Sequence, residues 1–173
     1  VQSIAESSFD AWTKFYKQDE NAPNAIVSYY AKGALVALAL DLSIRGGTQG
    51  WKSLDDLMRA LWERHGKTAV GVEERGLETL ASEVTGLDLA DFFTQALDST
   101  RDLDLEGLLE GVGIRLRWRG ARGPTDLGGV ADGEPNDEPA PPTLGIRLKT
   151  SAVEPLVDVV LSGGPAMEAG LAA

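Results

Sequence analysis

The sequence has no cysteine and a single histidine, His65, among its 173 residues. The first absence excludes a disulfide scaffold, a cysteine-rich zinc site and a thiol nucleophile, and the second excludes any site that needs two histidines. Basic residues are also scarce, because 16 Lys and Arg stand against 27 Asp and Glu and leave a formal charge of −11. A protein that binds nucleic acid by neutralising phosphates needs a basic surface, so the charge excludes that class.

Long apolar runs are missing too. The longest, residues 34–40, is far below the ~20 residues of a membrane span, and no signal peptide is visible. Cytoplasm and periplasm therefore both stay open as compartments. The chain begins at Val1 without a methionine and ends just after a turn that enters a short helix. We expect it to be a piece of a longer protein.

The negative charge is concentrated in part of the chain. Residues 68–110 carry two basic and eleven acidic side chains, whereas residues 1–67 carry eight of each. A solvated helical face is the usual meaning of such a stretch, and an acidic partner-binding patch is the alternative. Residues 120–142 are rich in glycine, proline and acidic residues, which predicts a linker or a long mobile loop.

Residues 1–111 show the apolar spacing of helices. Ser7 or Ser8 is expected to cap a short helix that buries Phe9, Trp12, and Phe15 or Tyr16. Five more helices are predicted at about 28–44, 53–66, 76–85, 88–98 and 103–110. The first of these five is apolar nearly all round, so it should lie in the core. Ser53 and Asp56 have the spacing of a capping box at the start of the next.

After residue 111 the pattern changes to alternation with a period of two. Ile114, Leu116 and Trp118 alternate with arginines, as expected for a strand with one buried face. Two more strands are predicted at 144–148 and 156–161. The predicted fold class is therefore mainly α: a multi-helical array at 1–119, the linker at 120–142, and a small β segment at 143–173.

Several stretches resemble one peptidase family. Residues 30–33 (YAKG), 40–45 (LDLSIR), 53–62 (SLDDLMRALW) and 83–93 (EVTGLDLADFF) are similar to the C-terminal half of the catalytic domain in glycyl aminopeptidase-like zinc metallopeptidases, which are thermolysin-like gluzincins. Residues 143–146 and 159–171 resemble the first half of a PDZ domain, which follows the peptidase domain in this family. The resemblance implies that the helical array is the C-terminal helical subdomain of the peptidase.

The resemblance implies one catalytic residue in this chain, Tyr30. Its position matches the tyrosine of a Tyr-x-Lys-Gly motif whose phenol stabilises the oxyanion formed on the scissile carbonyl. A phenol suits that role because it stays protonated at neutral pH and can donate to a charge that develops only in the transition state. Gly33 is expected to let the helix approach a neighbour closely.

The family's zinc ligands lie in an H-E-x-x-H helix and on the helix after it, and nothing here matches either. We therefore expect no metal site and no cofactor in this chain, no activity of the chain alone, and zinc in the full-length protein, held by an upstream catalytic segment. In the PDZ-like part, Leu144, Gly145 and Ile146 occupy the place of the loop whose backbone amides receive a peptide C-terminus. That segment is incomplete, and its open strand edges favour packing on the helical part or pairing with a second copy as a homodimer.

Other residues have ordinary structural interpretations. Tyr29 is assigned to packing or the rim of a substrate cleft, because neighbouring helical side chains diverge by about 100°. Lys32 is expected at the surface or in an ion pair rather than in contact with substrate, and His65 at a helix C-terminus as a partner of the helix dipole. The aspartates in predicted first turns suit helix dipoles better than acid/base pairs; they are Asp55, Asp56, Asp88 and Asp91.

Two functions follow as hypotheses. In the first, the chain is a fragment of a zinc-dependent aminopeptidase that hydrolyses N-terminal residues, with Gly or Ala as candidates, from peptides. In the second, it is a non-enzymatic helical interaction module with a peptide-binding PDZ-like appendage.

Overall fold

A computed structural model describes residues 1–121, 123, 126–130, 142–149 and 153–172. The chain divides into two compact units, Val1–Leu116 and Arg117–Ala173. The first is helical, and the second contains a small sheet. The predicted fold class, mainly α with a small incomplete β segment, is confirmed. Most of the predicted linker at 120–142 lies outside the described residues.

The first unit is built from short helices around one long one. These are α1 (Ile4–Phe9), α2 (Ala22–Ala25), α3 (Tyr29–Gly47), α4 (Leu54–Leu61), α5 (Gly76–Thr85), α6 (Ala90–Phe93) and α7 (Leu105–Glu110). Three π-helical turns follow α1, α4 and α6, at Ala11–Phe15, Trp62–Gly66 and Thr94–Asp98. The five helices predicted between residues 28 and 110 are thus confirmed, with their ends displaced by up to three residues.

The core of this unit joins α3 to the three helices that follow. Leu40 and Ile44 of α3 pack in one buried cluster with Leu57, Leu80 and Phe93, from α4, α5 and α6. Ile44 and Leu57 have no exposed surface. Burying a side chain of this size stabilises the fold by about 1.5–3 kcal/mol, so this cluster holds α3 in place.

The first helix begins earlier than predicted. Its cap is Ser3 in a capping box with Glu6, rather than Ser7 or Ser8. Ser7 is instead buried, and its hydroxyl donates to the carbonyl of Val27.

Because the helix begins at Ile4, the face that it buries is not the one that carries Phe9 and Trp12. The buried positions are Ile4, Ser7 and Ala11, spaced as one helical face. The prediction that Phe9 and Trp12 are buried was wrong, because both lie off this face and are 91% and 77% exposed.

Helix α3 has two apolar faces, of which only one is covered. Val36, Leu40 and Ile44 lie on the buried face, whereas Leu35 and Leu38 on the opposite face are 47% and 41% exposed. By length and composition alone, the stretch Ala22–Gly47 is apolar enough to cross a membrane, and 22% of its most apolar window is buried within the described structure. The longest uninterrupted apolar run, residues 34–40, ends at Gly33 on one side and Asp41 on the other, whereas an average over the whole helix also counts the apolar residues beyond these two.

The strand predicted at residues 112–118 is absent. Residues 114–120 have no regular structure, and Ile114 and Trp118 are 54% and 78% exposed. The alternation of apolar residues with arginines is real, but a strand also needs a partner for its backbone groups. Among the described residues, no strand forms a backbone ladder with this stretch.

The second unit contains both strands predicted in the C-terminal part. Strand β1 (Ile146–Leu148) pairs antiparallel with β2 (Val157–Val160), and a one-turn helix, α8 (Pro165–Glu168), follows. Gly145 precedes β1 with a φ of +72°, and a Cβ there would lie 2.9 Å from the Cα of Gly164. The close approach of these two backbones therefore requires glycine.

Candidate functional site

The site that the resemblance implies lies at the start of α3. Ser28 caps this helix in an extended conformation, and its hydroxyl accepts the amide N–H of Ala31 at 3.2 Å. Tyr29 and Tyr30 therefore occupy the first turn, where the cap and the buried later turns fix the backbone. Tyr29 is half-buried and Tyr30 is 62% exposed.

All three tyrosines of the chain meet at this point. The hydroxyl of Tyr16 lies 3.1 Å from the hydroxyl of Tyr29 and 3.1 Å from that of Tyr30. Tyr16 comes from the segment after the first π-helical turn, so the contact joins parts of the chain 13 and 14 residues apart. We call Tyr16, Tyr29 and Tyr30 the phenol cluster.

The rings below these hydroxyls are packed together. Phe15 lies at the centre, with ring centroids 5.3, 5.1 and 6.1 Å from those of Tyr16, Tyr29 and Tyr30. The rings of Tyr29 and Tyr30 are 4.4 Å apart. Aromatic pairs at such distances add about 0.5–1.5 kcal/mol beyond the area they bury, so the phenols are held by their rings as well as by their hydroxyls.

The electrostatics of the cluster differ between its two ends. The hydrogen bond to Tyr16, then that to Tyr30, raises the pKa of Tyr29 well above its usual range. The hydrogen bond with Tyr16, followed by that with Tyr29, lowers the pKa of Tyr30. The pKa values of Tyr29 and Tyr30 are therefore shifted in opposite directions by contacts within the same cluster.

The neighbouring motif positions have structural partners. The ammonium of Lys32 lies 3.9 Å from the Asp102 carboxylate, which confirms the expected ion pair. Gly33 makes no close approach among the described residues, since a Cβ there would meet nothing within 4 Å. The prediction that this glycine allows tight helix packing was therefore wrong for this part of the chain.

Residues 1–121 and the other described segments contain no group of three His, Asp or Glu side chains placed to hold a metal ion. His65 lies in the last π-helical residues before Gly66, and its Nδ1 is 3.3 and 3.2 Å from the carbonyls of Val70 and Gly71. Its contacts are with the backbone of the following loop.

Two of the aspartates of the predicted first turns, Asp56 and Asp88, accept backbone N–H groups at helix starts. Asp56 accepts the backbone N–H of Ser53 at 3.0 Å, and this bond lowers its pKa. Asp88 accepts the N–H of Ala90 at 3.1 Å. The capping box predicted from Ser53 and Asp56 is confirmed.

One groove is formed within the first unit, away from the phenol cluster. It encloses about 470 Å³ and is lined mainly by apolar side chains of α4 and the loop after it, with Trp62 and His65 among them. Gly66 lies so close to Trp62 that a Cβ would be 2.1 Å from the indole ring. None of the residues that line it belongs to the phenol cluster.

The three residues of the proposed carboxylate-binding loop lie just before and at the start of β1. Leu144 is 65% exposed, and the N–H of Gly145 donates to the hydroxyl of Thr143 at 3.2 Å. The carbonyls of Leu144 and Gly145 accept from Ala166 and Leu161 at 3.0 and 2.7 Å. These bonds tie the loop to its own unit, and peptide binding at Leu144, Gly145 and Ile146 stays a prediction.

Comparison with known proteins gives one similarity, and it falls on the phenol cluster. A family model described as M61 glycyl aminopeptidase matches residues 1–36, which are 36 of the 173 residues. No curated protein and no solved structure matches the chain. The matched stretch includes Phe15 and the whole phenol cluster, so the relation to a peptidase family concerns the part of the chain where these side chains meet.

The sequence alone singled out Tyr30 but missed Tyr16 as its partner. Tyr16 was expected only as a core residue next to Phe15, and it is 52% exposed. No local pattern indicates the contact, because it depends on how the turn around residues 21–28 brings two segments together.

Proposed function

We propose that this chain is part of an aminopeptidase and contributes Tyr30 as a hydrogen-bond donor to the reacting carbonyl. The observation that supports this best is the exposed phenol of Tyr30, which is held by the phenol cluster within the stretch similar to a peptidase family. The substrate in this proposal is a peptide with a free N-terminus, with Gly or Ala as candidate first residues.

In this proposal Tyr30 has to donate one hydrogen bond and transfers no proton. When water adds to the scissile carbonyl carbon, the carbonyl oxygen gains the electron pair of the C=O π bond and becomes anionic. A phenol O–H held nearby stabilises that oxygen without transferring its proton. The exposed hydroxyl of Tyr30, on a helix anchored by a buried core, meets both requirements of access and rigidity.

The zinc of the family, in this proposal, belongs to the upstream catalytic segment. That segment is also the expected partner of the exposed apolar face of α3, around Leu35 and Leu38. Contiguous apolar patches on a protein surface commonly mark interaction sites. A parent reading frame without H-E-x-x-H before Val1 would contradict the proposal.

The central test is Tyr30→Phe in the protein that includes the upstream segment. We expect kcat to fall by about 10²–10³, the usual effect of removing one oxyanion donor, with bound zinc unchanged. Phe9→Leu is the control, because Phe9 is an exposed aromatic residue of the same matched stretch that lies outside the phenol cluster. Equal turnover of Tyr30→Phe and wild type would exclude Tyr30 from the mechanism.

The second candidate is a non-enzymatic interaction module, and the exposed face of α3 favours it as well. In that case the PDZ-like segment would bind a peptide C-terminus at Leu144, Gly145 and Ile146, or pair its open β edges in a homodimer. A peptide with a free C-terminal carboxylate should then bind the chain, while the same peptide with an amidated C-terminus should not. Sedimentation over a range of concentrations tests the dimer.

A further inference from the structure

The aromatic side chains in and around the phenol cluster differ in exposure. Phe15 and Tyr29 are half-buried, whereas Trp12, Tyr16 and Tyr30 are 77%, 52% and 62% exposed. The ring of Trp12 lies 5.2 Å from that of Tyr16, and the hydroxyl of Tyr16 lies 3.1 Å from that of Tyr30. Trp12, Tyr16 and Tyr30 therefore form one continuous exposed surface, which we call the aromatic surface.

The backbone after α1 places Trp12 beside Tyr16. The two residues are four apart, and the π-helical turn between them is closed by the N–H of Tyr16, which donates to the carbonyl of Ala11 at 3.0 Å. Side chains at this spacing lie on the same face of a helix. The buried residue of the turn is Ala11, so the packing of this turn on the first unit does not depend on the indole of Trp12. Such π-helical turns are frequent at functional sites.

The size and position of the aromatic surface favour contact with another molecule. An aromatic side chain offers about 150–250 Å², and more than half of each of the three residues is exposed, so the surface is on the order of 300 Å². Patches of this size on a monomer are often functional. The aromatic surface lies within the stretch similar to a peptidase family and includes Tyr30, the residue proposed to contact the reacting carbonyl.

The chemistry of an aminopeptidase substrate determines which part of a peptide can lie on this surface. The first residue of the peptide supplies the reacting carbonyl, so the chain continues from that carbonyl only toward its C-terminus. Trp12 is separated from Tyr30 by one tyrosine side chain, Tyr16. Two residues of extended peptide span about 7 Å, which is comparable to the length of such a side chain. A peptide whose first carbonyl contacts Tyr30 can therefore place its third residue beside Trp12.

We propose that Trp12 is a specificity-determining residue that packs against an apolar side chain, preferably an aromatic one, at the third residue of the peptide substrate. The inference rests on the proposed function, because the contact of Tyr30 with the reacting carbonyl sets the position of the peptide. An indole suits this task, since it offers a large apolar area and forms offset or edge-to-face pairs with a second ring. Trp12 acts on peptide binding and takes no part in bond breaking.

The test compares two peptides, Ala-Ala-Phe-amide and Ala-Ala-Gly-amide, on the protein that includes the upstream segment. In the wild type we expect kcat/KM to be about tenfold higher for the peptide with Phe, because one additional aromatic contact forms. Trp12→Ala should remove this preference by raising KM for that peptide, with kcat and bound zinc unchanged. Trp12→Phe keeps a ring at the position and should retain most of the preference.

Phe9→Leu is the matched control. Phe9 is 91% exposed and lies in the same stretch, but among the described residues it makes no ring contact with the aromatic surface. Its replacement should leave the preference for Phe at tenfold. An equal loss of preference in Phe9→Leu and Trp12→Ala would overturn the assignment to Trp12.

The competing explanation is that the upstream segment covers the aromatic surface. In that case Trp12→Ala should lower the Tm of the longer protein and leave the preference between the two peptides unchanged, which would overturn the proposal. Equal kcat/KM of the wild type for both peptides would also overturn it. If Trp12→Ala loses the native circular dichroism, Trp12→Leu takes its place and the same outcomes apply.

The variants of Trp12 and Tyr30 separate this inference from the proposed function. Turnover lost in Tyr30→Phe, with the preference intact in Trp12→Ala, would keep the proposed function and reject the role of Trp12. A preference lost in Trp12→Ala, with full turnover in Tyr30→Phe, would keep peptide binding at Trp12 and reject Tyr30 as the oxyanion donor.

Discussion

Asp41 is the side chain that connects the long helix α3 to the helix after it. One carboxylate oxygen accepts the N–H of Leu54 at the start of α4 at 2.8 Å, and the other accepts from Arg45 at 2.7 Å. Partial burial opposes ionisation, but the bonds from Arg45 and Leu54 outweigh it and lower the pKa of Asp41. The carboxylate thus satisfies one of the amides that a helix N-terminus leaves without a partner.

Replacing Asp41 with Asn should destabilise the first unit by about 1–2 kcal/mol at neutral pH. Because the pKa is lowered on folding, the charged form stabilises the fold above the ordinary value of 3.8, and this contribution is lost as the pH falls through the lower folded pKa. The difference in unfolding free energy between wild type and D41N should therefore be constant from pH 7 to 5 and shrink below about pH 4.

Urea denaturation at several pH values measures this difference. Asp55→Asn is the control, since Asp55 lies in the first turn of α4, the helix whose first N–H binds Asp41, and is exposed. A D55N effect as large as that of D41N would mean that only the charge near the helix end matters.

Tyr29 and Tyr30 show how far residue-level reasoning from the sequence can reach. The 100° between successive helical residues predicted that the two side chains diverge. Their hydroxyls nevertheless reach the same oxygen, because both residues are in the first turn and both side chains are long. A third residue, Tyr16, determines where they meet, and its position depends on tertiary folding.

At the scale of elements, local signals predicted the helices and both strands of the second unit. The Ser53 and Asp56 box and the glycine after Thr85 mark helix ends through contacts within a few residues. The strand predicted at 112–118 was wrong, because a strand needs a partner strand and the local pattern cannot supply one. The prediction that Phe9 and Trp12 are buried was wrong for a related reason, since the face of a helix that is covered depends on which other elements pack against it.

The two-stranded sheet of the second unit gives a sharp test of backbone packing. Gly145 and Gly163 have nearly the same left-handed conformation, with φ of +72° and +71°. An added Cβ would lie 2.9 Å from a backbone atom of Gly164 at residue 145, but would meet nothing within 4 Å at residue 163. Alanine at either position is destabilised by the left-handed backbone conformation, and only in G145A does the new Cβ also clash with the backbone of Gly164.

We therefore expect G145A to destabilise the second unit by about 1–2 kcal/mol more than G163A. Hydrogen exchange of the Leu161 amide measures this, because that amide donates to the carbonyl of Gly145. Equal protection in the two variants would show that the backbone can separate at Gly145 without loss.

For the whole molecule, the dominant feature is the excess of negative charge. Residues 68–110 carry nine more acidic than basic side chains, eleven against two. Arg75 pairs with both Glu78 and Asp98, and Arg64 pairs with Glu83. These exposed pairs are each worth little, and the remaining acidic groups repel one another within the helical unit.

Salt should therefore stabilise the helical unit rather than weaken it. Raising sodium chloride from about 10 to 300 mM shortens the screening length from about 30 Å to below 10 Å, which suppresses repulsion between groups spread over several helices. We expect the Tm of the helical signal in circular dichroism to rise by about 2–4 °C, equivalent to about 1 kcal/mol. Choline chloride at the same ionic strength should give the same rise if screening is responsible. A fall in Tm would mean that the ion pairs of Arg64 and Arg75 contribute more than the repulsion removes.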